Sequence, residues 1–506
     1  MSRNRSAFAL VALGLFAIAG HAQTTPAVST IVAFSLSNPV GNLVKGGDGA
    51  LYGVASPATS VTGGVIYRTT LDGSDVRTLY QLKADDALSP AGGLVLASDG
   101  LLYGTTKFGT AAQLDGAGTI FKIAADGAGF QIIHRFAAAT STNQNSNPIN
   151  TNGAYPEAEL VEGPDGYLYG AARAGGPNGT GTIFKIARDG TDFKLLYSFS
   201  AVTSSAASGL TVTVDGAAPT GPLVPGADSF FYGTTSLGGT NGRGTIFRIA
   251  FDGTGFQVLH HFSATTTDTT TGLFKNADGA TPLGGLVDGG DGFFYGMAAQ
   301  GGTDGNGVIF VIPADGSTFT VLHSFTGADG ARPVAELMVA SSGKLYGVTS
   351  SGGVNTAGAT TTLGTIFSID RAGTNFSRLY SFDGKDGSVP SSKPATAAKP
   401  SSASRSSVAA CSAESRASPS RTSSPYRTPS SWSSPTSISS CRPRTWTRCS
   451  PCRSTNSPSA SAPAAPPSTT LPKTCSPTAS RAASTATPSS HSCSRTTAAA
   501  PSPPTS

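Results

Sequence analysis

Three histidines at one position of an internal repeat are the first residues that could perform chemistry. His134, His260 and His323 each lie two residues before a phenylalanine. Imidazole nitrogens bind metals, so a ring of such residues could form a metal site. The same position in the other copies of the repeat is filled by Tyr80, Tyr197 and Tyr380. A position that accepts either residue favours a packing role with a hydrogen bond, and no metal site is predicted.

Glycine-rich loops are the second candidate. The segments 175–181, 238–244 and 301–307 resemble loops that cradle phosphate or calcium. No helix with a Lys-Ser/Thr pair follows, so the anion-binding helix N-terminus is missing. Asp304 is the one carboxylate in these three loops, too few for calcium. Tight turns that need positive φ are favoured instead, and no cofactor is predicted.

Two further patterns have a plain interpretation. Cys449 and Cys452 have a redox or zinc spacing, but they lie in a tail of biased composition, and no function is assigned to them. Asp48, Asp165 and Asp291 precede the glycine of the first turn in their repeats. They are predicted to form turns rather than an acid and base pair, so no catalytic residue is predicted.

The elements that position these residues are repeated β-strands. A Leu/Phe-Tyr-Gly tripeptide recurs six times, with its tyrosine at Tyr52, Tyr103, Tyr169, Tyr232, Tyr295 and Tyr346. Each copy holds four β-rich runs, and Asp-Gly turns such as the one at Asp126 separate the third run from the fourth. Alternation in the fourth run predicts that Phe130, Ile132, His134 and Phe136 share one face. Each copy is therefore predicted to be a four-stranded antiparallel meander.

A four-stranded unit cannot bury both of its faces alone, so it must stack on its neighbours. Four strands per unit favour a β-propeller over a linear solenoid. Apolar residues on both faces, such as Ile183 and Phe184, agree with sheets covered on both sides. Residues 386–390 begin a seventh copy that then breaks off, and residues 30–36 resemble a fourth strand that could close the ring. The fold class is all-β, a propeller of six complete repeats with a seventh broken off.

Composition divides the chain into three parts. Residues 1–22 have a basic start and a short apolar core, as in a signal peptide. Residues 23–390 form the repeat domain, and residues 391–506 form a Ser/Pro/Arg-rich tail that contains all 6 cysteines and no glycine. The tail is expected to be disordered. The protein is expected to be secreted, periplasmic or at the cell surface, with no transmembrane segment after signal cleavage.

The abrupt start of the tail suggests a reading-frame shift. The alternative is a real Ser/Thr/Pro-rich stalk through a surface layer. The nucleotide sequence separates the two, since a frameshift requires an L-Y-G-T repeat in another frame after codon 390. The net charge of +5 sums an acidic repeat domain and a basic tail. Because that basic charge lies in a segment without a recognisable fold, no nucleic acid partner is predicted.

The phrases Leu102-Tyr-Gly-Thr-Thr106 and Gly118-Thr-Ile-Phe-Lys-Ile123 recur with little change. They resemble the GloVer (Gloeo_Verruco) tandem repeat of exported bacterial proteins with various C-terminal anchors, over about residues 30–390. The resemblance implies a propeller-like array and a secreted or surface location, with no defined activity and no catalytic residues. The chain departs from that pattern where an anchor would be expected.

The ligand-binding face is predicted from the topology. Loops between the second and third strands, and those that link repeats, emerge on one face, and they are long and variable at 137–151, 201–214, 263–277 and 353–363. Asn178, Asn241, Arg243 and Asp304 are the candidate ligand-face residues. The predicted function is a non-catalytic, monomeric binding module for glycan or an extracellular protein. The alternative is a propeller-type polysaccharide lyase or glycosidase, which would need an inward carboxylate, Tyr or His in only one or two repeats.

Overall fold

Six small antiparallel sheets form a six-bladed β-propeller. The computed structural model describes residues 8–15, 27–34, 37–57, 63–83, 88–109, 116–204, 210–354, 363–383, 390–392 and 405–410. Every regular element in these ranges is a strand, and each sheet of the propeller contains one Leu/Phe-Tyr-Gly tripeptide. The predicted fold class is confirmed.

The blades are numbered in chain order, and each is a meander in which consecutive strands pair, except that in blade 2 Leu88–Pro90 and Val95–Leu96 both pair with Leu101–Phe108. Blade 1 contains Ser37–Lys45, Leu51–Pro57, Val65–Thr69 and Val76–Gln81; blade 2 contains Leu88–Pro90 with Val95–Leu96, then Leu101–Phe108, Thr119–Ala124 and Gln131–Arg135. Blade 3 contains Val161–Glu162, Leu168–Ala172, Thr182–Ile186 and Lys194–Ser198; blade 4 contains Val224–Pro225, Phe230–Thr235, Thr245–Ala250 and Gln257–His261. Blade 5 contains Val287–Asp288, Phe293–Ala298, Val308–Pro313 and Thr320–Ser324; blade 6 contains Met338–Val339, Leu345–Thr349, Thr365–Ile369 and Ser377–Ser381.

The two middle strands of blades 2 to 5 are covered on both faces because each of these blades stacks on two neighbours. Ile183 packs in an apolar cluster with Phe231 of blade 4, whereas its neighbour Phe184 packs in a cluster with Tyr103 of blade 2. Both side chains are fully buried. The apolar character of both faces is thus explained by a neighbouring blade on each side, as predicted.

The predicted common face of the fourth strand is wrong. In blade 2, Ile132 pairs with Phe121 while His134 pairs with Ile120, so a β-bulge lies between them. The extra residue reverses the alternation. Phe130 and Ile132 therefore pack toward blade 1, whereas Phe136 packs toward blade 3. An equivalent bulge occurs in the other five blades and lets the fourth strand contact both neighbours.

Strands outside the propeller form a separate three-stranded sheet of Ala27–Phe34, Phe8–Leu15 and Arg405–Ala410. The segment expected to close a seventh blade thus pairs with the leader instead, and a part of the tail expected to be disordered is a strand. The rest of the tail lies outside the described residues, and the predicted domain boundaries stay predictions. None of the described residues forms a helix long and apolar enough to span a membrane.

Candidate functional site

The loops of the propeller fall into two sets on opposite faces, because successive turns of an antiparallel meander alternate between the two ends of the strands. One set joins the first strand to the second and the third to the fourth, and here it is named the short-turn face. The other set joins the second strand to the third and one blade to the next, and it is named the hairpin face. The two faces differ in how their polar groups are used.

On the short-turn face the aspartates hold the blades together internally. Asp165 accepts a hydrogen bond from the Tyr167 amide (3.2 Å) and another from the Tyr169 hydroxyl (2.8 Å). Burial alone would raise the pKa of Asp165, but these bonds and one from Lys185 outweigh it and lower the pKa. Asp48 and Asp291 make the same pair of bonds in their blades. Their predicted role as turn formers is confirmed.

The hairpin face carries three two-stranded hairpins that the sequence presented only as long loops. They pair Ser141–Thr142 with Pro148–Ile149, Thr203–Ser204 with Thr211–Val212, and Thr266–Thr267 with Phe274–Lys275. They follow blades 2, 3 and 4 respectively, and each lies over a glycine loop. Asn143 Nδ2 donates to the carbonyl oxygens of Asn178 (3.1 Å) and Gly179 (3.2 Å), which fixes the first hairpin over blade 3.

The first two hairpins also contact each other. Asn145 Nδ2 donates to Thr211 Oγ1 at 2.9 Å, and Gln144 Nε2 donates to the Val202 carbonyl at 3.0 Å. The segments that contain these two hairpins are uncharged, because residues 137–152 and 201–214 contain no Asp, Glu, Lys or Arg. The third connection contains Asp268 and Lys275, whose side chains pair at 2.7 Å. The hairpin segments 137–152, 201–214 and 263–277 therefore carry no net charge, and acidic residues follow them at Glu157, Asp215 and Asp278.

The four predicted ligand-face residues are placed in the glycine loops. Asn178 and Asn241 use their amide groups internally, donating to the carbonyls of Phe199 (2.8 Å) and Phe262 (3.0 Å). The Arg243 guanidinium lies over the Phe274 ring at 4.7 Å, and burial lowers its pKa. Asp304 is partly buried and lies in the glycine loop of blade 5. Asn178, Asn241 and Asp304 stand at equivalent positions in blades 3, 4 and 5, and Arg243 lies two residues after Asn241 in the loop of blade 4.

The repeated histidines pack between blades. His260 Nε2 lies 3.0 Å from Asp278 and its ring stacks on Phe319 of blade 5 at 3.9 Å. Tyr197 occupies the same position in blade 3, donating to Asp215 at 2.7 Å and stacking on Phe256 of blade 4 at 3.8 Å. The predicted packing role with a hydrogen bond is confirmed. Among the described residues, no group of three or more His, Cys, Asp or Glu side chains could hold a metal ion.

A cavity of about 150 Å³ lies where segments of all six blades converge on the axis. Each blade supplies residues that follow a proline, including Asn42, Gly93, Glu159 and Glu336. This proline lies ahead of the first strand in blades 3 to 6, and within the strands Ser37–Lys45 and Leu88–Pro90 in blades 1 and 2. Pro39, Pro90, Pro156, Pro219, Pro282 and Pro333 are those prolines. The axis is therefore built from one repeated segment that contains different side chains in different blades.

Among the described residues, carboxylates line this cavity from blades 3 and 6. Glu159 and Glu336 occupy the same repeat position, three residues after the proline, and Glu336 is 7% exposed. Asn42, at that position in blade 1, donates its amide to Glu159 Oε2 at 2.7 Å. Glu157 also lines the cavity, but it is ion-paired with Lys107 at 2.6 Å. The cavity is thus polar, with two carboxylates that the repeat does not require.

Glycine residues allow the backbones of neighbouring blades to lie close together near the axis. A Cβ added at Gly284 would lie 2.3 Å from the Ala335 carbonyl oxygen of blade 6, and one at Gly92 would lie 2.5 Å from the Ala158 oxygen of blade 3. No such contact is possible for a real side chain. The backbones of neighbouring blades can therefore meet here only because these positions are glycine.

Glu159 and Glu336 were missed because the repeats were aligned on Leu/Phe-Tyr-Gly. An alignment on the proline would have shown that this position holds Asn42, Gly93, Glu159, Pro222, Gly285 and Glu336. Variation at a fixed place in a regular repeat was the available signal.

Comparison with solved structures gives likenesses at low identity. A 6-phosphogluconolactonase-like protein from Bacteroides fragilis has 15% identity and a TM-score of 0.44, with 78% of this chain and 98% of that chain covered. An oligogalacturonate lyase in complex with manganese has 12% identity and a TM-score of 0.40, with 66% and 78% covered. No curated protein matches the chain. Likeness at this level carries no information on activity.

The sequence also matches a family of repeats described as the Gloeobacter/Verrucomicrobia repeat. The matches span residues 15–213, 137–273 and 264–399, so consecutive matches overlap and together cover most of the chain. The blades described above all lie within this span. The chain belongs to the Gloeobacter/Verrucomicrobia repeat family.

Proposed function

We propose that the chain is an exported binding module that holds a glycan on its hairpin face. The observation that carries this proposal is the contrast between the two faces. On the short-turn face the repeated aspartates bond to their own turns and tyrosines. On the hairpin face, Thr142, Asn145 and Thr267 are exposed in hairpin segments without net charge. Neutral hydroxyl and amide groups match the hydrogen-bonding groups of an uncharged sugar.

The proposal that the protein is exported depends on residues 1–22, which have the pattern of a signal peptide. Arg3 and Arg5 precede an apolar stretch, and small residues flank the expected cleavage after Ala22. A mature protein that begins at Gln23 would support this step. N-terminal sequencing of the protein recovered outside the cytoplasm is the direct measurement.

The glycan proposal is tested with the purified full chain on a glycan array, followed by titration with any glycan retained. Thr267→Lys and Thr142→Lys place a bulky charge on exposed hairpin positions. Each is expected to weaken binding by about tenfold or more, as expected when contacts worth about 1.4 kcal/mol are lost. The matched control is Ala128→Lys, also exposed but on the short-turn face, and it should bind normally. Equal losses in all three variants, or no glycan retained, would reject the glycan and leave an extracellular protein as the partner.

A second candidate, a polysaccharide lyase or glycosidase, is favoured by one observation. Glu159 and Glu336 are inward carboxylates present in two blades only, which is the feature such an enzyme would need. Against it, the cavity of about 150 Å³ is smaller than the roughly 300–1,000 Å³ usual for ligand pockets. Incubation of the chain with extracellular polysaccharides and analysis of the products separates the candidates. Chain shortening that is abolished in Glu159→Gln and Glu336→Gln would replace the binding proposal with the enzymatic one.

A further inference from the structure

The passage from one blade to the next follows a fixed pattern. The proline ahead of each new blade packs on the glycine that precedes the third strand of the blade before it. A Cβ on that glycine would lie 2.5 Å from Pro156 in the step from blade 2 to blade 3, and 2.7 Å from Pro333 in the step from blade 5 to blade 6. This contact marks a step between adjacent blades.

The chain makes the same step after blade 6. Pro390 packs on Gly364, where a Cβ would lie 2.6 Å from the proline ring. Ser391 then lines the axial cavity, as the equivalent residues of blades 2 to 6 do. Gly41 and Asn42 of blade 1 line the same cavity, so Ser391 does not replace them. Seven segments, not six, therefore surround the axis.

The interface residues of blades 1 and 6 are consistent with a seventh unit of the repeat between these two blades. Five apolar clusters each join two consecutive blades, and among the described residues no such cluster joins blade 6 to blade 1. In blades 2 to 6 a phenylalanine at the start of the fourth strand stacks on the preceding blade, with ring centroids 3.8 to 4.1 Å apart. The equivalent residue of blade 1 is Val76, which is 42% exposed. Blade 1 thus presents its interface position to solvent.

We propose that the space between blades 6 and 1 is an acceptor for one further four-stranded unit of the same repeat, joined through Pro390. The occupant is specified by continuity with the five interfaces already present. It must supply a Tyr-Gly strand that packs on blade 6 and a fourth strand that covers Val76. In the uncleaved chain the three-stranded sheet of residues 8–15, 27–34 and 405–410 contacts the first strand of blade 1 and is the competing occupant. It cannot form in this way once the leader with residues 8–15 is removed.

The test is a graft in which the residues after Pro390 are replaced by a copy of residues 220–262. Pro219 and Pro390 are equivalent, so the copied blade starts in register. The full natural chain is the reference. The graft is expected to remain monomeric, to unfold several degrees higher, and to show amide hydrogen-exchange protection throughout the copied strands.

Two substitutions, each made in the natural chain and in the graft, test whether the copied blade packs on blade 1. Val76→Lys is expected to leave the unfolding midpoint of the natural chain almost unchanged, because Val76 is exposed, and to lower that of the graft by several degrees. Val214→Lys, at a position 69% exposed and remote from the space, should be neutral in both chains. An equal effect of Val76→Lys in the two chains, or a copied segment that exchanges as an unfolded peptide, would overturn the proposal. The second result would show that the space does not accept a further unit of the repeat.

Discussion

His134 offers a test of how one repeat position behaves in two electrostatic environments. His260 and His323 face the carboxylates of Asp278 and Asp329, whereas His134 faces the amide of Asn152, with 3.2 Å between Nε2 and Nδ2. The imidazole of His134 stacks on Phe193 at 4.1 Å, and burial lowers its pKa to about 4. We expect His134→Tyr to make the stability of the protein less sensitive to acid.

The sign and size of the change in the free energy of unfolding follow from the lowered pKa of His134. The unfolded chain binds a proton at His134 below about pH 6.5, but the folded chain does so only near pH 4. Acidification through this window therefore favours the unfolded state, and the free energy of unfolding falls. Between about pH 7.5 and about pH 5 the full shift would remove about 2 kcal/mol. Because the ring is only partly buried, solvent screening reduces the expected loss to about 1 kcal/mol.

Urea denaturation of the natural chain and of His134→Tyr at these two pH values measures the difference. Tyrosine fits because Tyr197 fills the equivalent position in blade 3. Asn152→Asp is the matched variant, because it recreates the carboxylate of blades 4 and 5. It should raise the pKa of His134, visible in the NMR titration of a protein with 6 histidines. Identical pH dependence in the natural chain and His134→Tyr, or a His134 that titrates near pH 6.5, would refute the reasoning.

Three further outcomes are expected from equilibrium unfolding. Gly284→Ala should destabilise the axis by about 1–3 kcal/mol because its Cβ would clash with the Ala335 backbone, whereas Gly47→Ala, with nothing within 4 Å, should be neutral. Phe262→Ala should cost about 3–5 kcal/mol, since that fully buried ring packs between blades 4 and 5, and a smaller loss would mean that the cluster closes around the gap. Asp165→Asn should cost about 1–2 kcal/mol at neutral pH and little in strong acid. The lowered pKa of Asp165 gives stability that is present above its unfolded pKa of 3.8 and disappears as the pH falls through its folded value.

The blades could be predicted because their strands carry strong local signals. The tripeptide at Leu168–Gly170 and the β-branched run at Thr182–Ile186 form strands as expected. The hairpins on the connections could not be predicted, because strands of two residues such as Thr266–Thr267 have no periodicity of their own. The bulge that separates the faces of Ile132 and His134 depends on pairing with Phe121 and Ile120, which the fourth strand alone does not specify.

The ligand-binding role of the hairpin face stays a prediction, and only the position of its loops could be anticipated. The face with variable loops was identified from topology, although Asn178 and Asn241 proved to be tied to their own blades. The axial carboxylates were not identified, because convergence at an axis brings together residues far apart in sequence. Asn42 and Glu159 are 117 positions apart and within hydrogen-bond distance. Only an alignment on the proline would have placed them at one repeat position.

The contact between each proline and the glycine of the preceding blade bears on how such arrays grow. Since Pro219 is seated on Gly181, a cut made between blades 3 and 4 would separate two halves of one junction. A stretch from the third strand of one blade to the second strand of the next keeps the junction whole. Duplication or exchange of segments should therefore succeed more often with breakpoints inside blades than between them.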